Sequence, residues 1–180
     1  MAIVQADLLY HYTGASTHAA AQTDGDVSLG GYRSSSEISS GVDNNLFDDV
    51  SGAEASAGDT EYRAVAFINN HSSIALTAAV TWISTDTGNA EDDISFDVEA
   101  PDNETSGKIQ TIADESTAPT GLGGWSDATS KATGKDCPLG SNEVGAGEWF
   151  GIWYKRGISA SASAATGESV TVRTEGDTVA

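Results

Sequence analysis

The chain has 180 residues, enough for one domain, and its 38% hydrophobic content includes four Trp, five Tyr and four Phe to fill a single core. Twenty-seven Asp and Glu oppose eight Lys and Arg, a formal net charge of −19 that argues against a nucleic-acid partner, whose phosphates would meet a like-charged surface. One cysteine, Cys137, excludes an internal disulfide, and no apolar run approaches the roughly 18 residues of a membrane span.

In dilute salt such an imbalance destabilises the compact state through self-repulsion. At molar salt the Debye length falls to about 3 Å, and the repulsion is screened while the carboxylates stay hydrated. The acidic excess and the absence of lysine before Lys108 therefore predict a surface adapted to very salty water, as in a halophile. The start, Met1 to Asp7, has neither the basic residues nor the apolar run of a signal peptide, so synthesis in the cytoplasm is expected.

Ile3 to Tyr12 is a short apolar stretch that reads as a strand. Thr13 to Asn44, rich in Ala, Thr, Ser, Gly and Asp, has no period and reads as an irregular arm. The expected division is thus an N-terminal strand and arm over 1–44 and a β-sandwich over 45–180. Asn45 to Val50 carries two apolar anchors, Leu46 and Phe47. Ser51 to Gly58 then reads as one helical turn, with Ser51 capping and Glu54 three residues on.

Tyr62 to Ile68 is apolar on both faces apart from Arg63, as expected of a central strand covered on two sides. Asn69 to Ser73 is a turn, and Ile74 to Ser84 follows with Leu76, Ala78, Val80 and Trp82 on one face; the two strands are expected to form a hairpin. After an acidic loop over 85–93, Ile94 to Glu99 alternates apolar and polar residues until Pro101 ends it. Lys108 to Ala113 is a further short strand. Glu148 to Arg156 sets Phe150, Ile152 and Tyr154 against Trp149, Trp153 and Lys155, and Glu168 to Glu175 turns Val170 and Val172 inward. Seven or eight strands with turn residues between them predict an all-β fold, a single β-sandwich of jelly-roll or immunoglobulin-like type with an extended N-terminal arm.

Signals of catalysis are missing. His11, His18 and His71 lie in the arm and a turn, outside any triad context, and no G-x-S-x-G elbow or phosphate loop occurs. With so many acids, neighbours such as Asp48–Asp49 and Glu91–Asp93 are expected by chance, so no catalytic residue and no enzyme activity are assigned. Asp24-Gly25-Asp26 and the Asp86 to Asp93 loop offer oxygens for a structural Ca²⁺, but neither has EF-hand spacing, and the expected cofactor is none. Trp125, Trp149 and Trp153 are the candidate contact residues for a glycan or a protein partner, the last two sharing one face of a strand and reading first as core.

The run from Asn45 to Ala55, then Ala57 to Arg63, and the strand ending in Asn69-Asn70-His71 resemble small virion proteins of tailed bacteriophages and haloarchaeal tailed viruses. So do Ile109 to Pro119 and the close Arg173 to Thr178. The resemblance covers most of residues 45–180; the long start and the segment Lys131 to Pro138 depart from it. It implies a structural role in a virion, without a catalytic motif to carry over. The expected function is a capsid decoration or turret protein that meets the shell through its arm. The alternatives are a tail or baseplate adaptor and a module binding host surface glycans. Expected partners are other virion proteins and further copies of the chain, since open sheet edges invite another subunit's strand.

Overall fold

The computed structural model describes residues 2–165 and 167–178; Met1, Thr166, Val179 and Ala180, which the two expected segments include, lie outside the described residues. In chain order the elements are β1 (Leu8–Tyr12), β2 (Gly30–Tyr32), α1 (Gly52–Ala57), β3 (Asp59–Asn69), β4 (Leu76–Thr85), β5 (Asp92–Glu99), β6 (Lys108–Thr111), β7 (Lys135–Asp136), β8 (Glu143–Val144), β9 (Trp149–Ile158) and β10 (Thr171–Thr178). The fold is all-β with several antiparallel sheets. One has the order β1-β3-β9-β5, a second the order β10-β4-β7 with β8 also on β4, and a small third pairs β2 with β6.

The two apolar faces of β3 follow from its place in the first sheet. Its odd-numbered Val65 and Phe67 join Phe150, Ile152 and Tyr154 of β9, and Ile94 and Phe96 of β5, in a cluster shared with Leu76, Ala79 and Ile83 of β4. Ala64, Ala66 and Ile68 face the other way, with Trp149 and Trp153, under Ile109 and Ile112. Burying each large apolar side chain contributes about 1.5–3 kcal/mol. Size is matched across the strands, because Ala64 stands directly opposite Trp153. Gly30, at φ +85°, completes this layer: a Cβ there would lie 2.0 Å from the Gln110 carbonyl oxygen and 2.8 Å from the Trp153 ring.

Two expectations about β4 are corrected. β3 and β4 form no hairpin: β3 takes β1 and β9 as neighbours, β4 takes β10, β7 and β8, and the turn after Asn69 carries the chain from one sheet to the other. Asn69 holds that turn, its amide donating to the carbonyls of Ile74 (2.8 Å) and Val144 (2.9 Å), while His71 Nδ1 accepts from Ser73 and Ile74 N–H. The face of β4 also changes phase. Ala78 sits at φ +49°, and Glu175 pairs Val80 while Asp177 pairs Thr77, so β4 carries one extra residue. Beyond this bulge Ala79 and Ile83 enter the shared cluster, instead of Ala78, Val80 and Trp82.

The short helix forms as its capping residues predict, with Ser51 Oγ accepting from Glu54 N–H (3.3 Å) and the Glu54 carboxylate accepting from Ser51 N–H (2.6 Å). Within the segment expected as strand and irregular arm, β1 is in register with β3 from Leu8–Asn69 to Tyr12–Val65. Residues 34–38 then bond to the outer edge of β1, where Ser34 N–H donates to Tyr12 O and Ile38 N–H to Tyr10 O, both at 2.8 Å.

Two sides of the space between the main sheets differ. On one, Ser126 exchanges both backbone hydrogen bonds with Phe96 of β5 (2.9 Å), and Ile83 N–H of β4 donates to Ala128 O, so an irregular segment ties the sheets together. On the other, β1 and β10 are linked by side chains: Tyr10 Oη donates to Thr174 Oγ1 (2.9 Å), which lies 2.8 Å from Thr81 Oγ1.

Candidate functional site

The second, looser side opens into a groove of about 1260 Å³. One wall is the 38–52 segment, with Ile38, Leu46 and Val50; the other is the approach to β10, with Val170 and Val172. These side chains are apolar because they rest against the edge of the shared cluster, which part-buries Ile38, Leu46, Val170 and Val172. Among the described residues, β10 has backbone pairing to β4 only, so its outer edge is unpaired, and its start, at Val172, borders the groove. Arg173, Glu175 and Asp177 alternate on its exposed face.

Carboxylates rim the groove: Asp43, Asp48, Asp49, Glu91, Asp92 and Glu168, against the single cation Arg156. Burial and the neighbouring charges of Glu168, Asp93 and Asp86 push the Asp92 carboxyl up, against an opposing pull from Arg156. Its Oδ1 is buried without a hydrogen-bond partner.

At the end of the groove two arginines are locked inside the molecule. Arg63, wholly buried, bonds Asp26 (3.2 Å) and Glu115; Arg156 bonds Glu61 through Nε (2.6 Å) and the Asp48 carbonyl through Nη1 (2.8 Å). The Phe47 ring lies between them, 5.6 Å from the Arg63 guanidinium and 4.8 Å from that of Arg156. Burial raises the Glu61 carboxyl above its usual range, with Arg156 opposing. Carboxylate oxygens of Asp48, Glu61 and Glu115, and of Glu54, Asp59 and Glu61, approach within 4.8 Å, yet both sets share Glu61, already held by Arg156. The network pins the 47–48 and 113–115 segments over the end of the core, so its acids are used structurally.

Four acids of the stretches considered for Ca²⁺ are bonded within the chain. Asp24 caps the 3-10 turn at Gly25–Val27 by accepting from Asp26 N–H (3.0 Å), and Asp26 pairs with Arg63. In the 86–93 loop, Asp86 accepts from Thr87 N–H (2.8 Å) and Glu91 from Ser163 N–H (2.7 Å).

The three tryptophans fall in different places. Trp149 and Trp153 are 0% exposed, on the covered face of the first sheet, and Trp153 Nε1 donates to Glu99 (2.7 Å). Trp125 is half-buried, 5.5 Å from the Tyr62 ring, with Lys155 Nζ 5.8 Å over its face. Only Trp125 of the three therefore offers a ring beside solvent.

One further group, around Arg33, was outside the reach of sequence reasoning. Arg33 is buried against His11 and His18, donating through Nη1 to the Ser34 carbonyl (3.1 Å) and approaching His18 Nε2 at 3.5 Å. The Cys137 thiol is pushed up to about 11 by burial, far from the range of a nucleophilic thiolate. No family model, curated protein or solved structure matches this chain.

Proposed function

We propose that this protein is a non-enzymatic structural part of a tailed-virus particle, adapted to high salt, and that it sits on the capsid as a decoration or turret component. Its two main sheets are read as the layers of a β-sandwich, of jelly-roll or immunoglobulin-like type. The observation that supports the reading is the pairing of an open strand edge, β10, with an apolar groove beside it. A surface of that kind serves to hold a neighbour, whereas the strongest charges are spent on internal pairs. The sequence resemblance over 45–180 supplies the setting.

A position in the tail or baseplate is the rival within the same class. Quantifying the protein in purified particles separates them: copies in proportion to the shell subunits support the capsid, copies in proportion to a tail ring support the tail, and absence from particles overturns both. A second reading, attachment to host surface glycans, is favoured by the tilted Tyr62–Trp125 pair, whose faces suit a sugar ring. Binding of the isolated protein to host surface polysaccharide, lost in Trp125→Ala, tests it.

A further inference from the structure

We infer that the groove beside β10 is the seat of an extended segment from a different protein, one that alternates apolar and basic residues and adds to the second sheet as a new strand.

The backbone provides the first half of the argument. β10 has eight residues, a length of about 27 Å in an antiparallel strand, and among the described residues its outer edge has no backbone partner. An incoming strand aligned on that edge would turn alternate side chains toward Val170, Val172, Ile38 and Leu46, all part-buried and apolar. Strand addition of this type draws affinity from main-chain hydrogen bonds and specificity from the pockets that receive every second residue.

Charge selects the occupant. The rim carries six carboxylates, and its one cation, Arg156, is already paired with Glu61. Asp92 keeps a buried oxygen without a donor. Lysine or arginine side chains on the incoming strand would supply that donor and neutralise the rim. A second copy of this chain fits badly. It brings a formal charge of −19, and the one stretch in which two basic residues directly follow an apolar run, Ile152 to Arg156, is enclosed in β9.

The inference rests on the reading of the molecule as an assembly part, but its test uses the isolated protein, so the two can fail separately. The probe is a fluorescently labelled synthetic peptide alternating lysine and valine, followed by anisotropy at a salt concentration where the protein melts cooperatively. Saturable binding is expected, weakened about tenfold in Asp92→Asn and in Val172→Asp. On the unaltered protein, the peptide should slow amide hydrogen exchange within 171–178. That second measurement stands even if Val172→Asp fails to fold. Equal binding of a lysine–glycine peptide, protection that leaves β10 unchanged, or no binding overturns the inference. So does self-association of the free protein through β10, seen as exchange protection there that grows with protein concentration without peptide.

Discussion

Glu61 and Arg156 stand directly opposite one another on β3 and β9, and Arg156 Nε donates to the Glu61 carboxylate at 2.6 Å in an almost fully buried position. Removing one partner leaves the other charge uncompensated. Glu61→Gln and Arg156→Leu should each lower unfolding stability by about 3–5 kcal/mol, and the double change to Leu and Met by distinctly less. Urea unfolding at fixed salt measures all three; a double-variant loss equal to the sum of the two single losses would show that the pair is not coupled.

Trp153→Ala is expected to cost about 3–5 kcal/mol, because the indole is enclosed between β2 and the first sheet and holds Glu99. Trp125→Ala should cost distinctly less, since its ring is only partly buried at the margin of the cluster around Trp153. Thermal melts of both variants check the contrast.

Ala78 occupies the left-handed region at φ +49° within β4. Glycine removes that strain, so Ala78→Gly should raise stability by about 0.5–1 kcal/mol, although glycine inside a strand normally weakens it. Ala78→Val should do the reverse. A lower unfolding midpoint for the glycine variant would contradict the bulge geometry.

Burial, with a smaller push from the adjacent Arg33, holds both His11 and His18 below the ordinary histidine value; at His11 the hydrogen bond to the Ser34 carbonyl and, more weakly, Glu37 oppose the shift. His11 Nδ1–H donates to the Ser34 carbonyl (2.8 Å), which leaves Nε2 as a buried, unprotonated nitrogen. The folded state thus favours the neutral rings. Their contribution is full above about pH 6.5 and is lost as pH falls through the lowered folded values. Melting between pH 7.5 and 5 should show this slope, and the double change His11→Gln, His18→Gln should flatten it.

Melting midpoints should rise from low to molar sodium chloride, because 27 acids repel one another across a small surface. Equal midpoints at the two salts would dispose of the high-salt adaptation.

Much of the sheet architecture was legible because local pattern and final environment coincide. β3 reads as covered on two faces and is; β9 separates Phe150, Ile152 and Tyr154 from Trp149 and Trp153 as its alternation predicts. The Ser51–Glu54 cap is a local interaction and was equally readable. What escaped depends on distant partners. Nothing near Leu8 announces Asn69 as its neighbour, and a single alanine at positive φ reverses the inward face of β4. The groove was hidden for the same reason, since its walls come from residues near 40 and near 170. Trp149 and Trp153 read first as core, whereas Trp125, in an aperiodic stretch, had no pattern to place it.

The strand order bears on how the molecule is made. β9 is the interior strand between β3 and β5, and β10 supplies one whole flank of β4, so neither main sheet can close until the chain has been synthesised past Ile158. Until then Val65, Phe67 and Ile94 lack Phe150, Ile152 and Tyr154 beside them, the circumstance in which slow, non-local folding exposes nascent chains to clumping. Mutual repulsion among the many carboxylates would keep such unfinished chains apart, a protective role during birth that is separate from any role in brine.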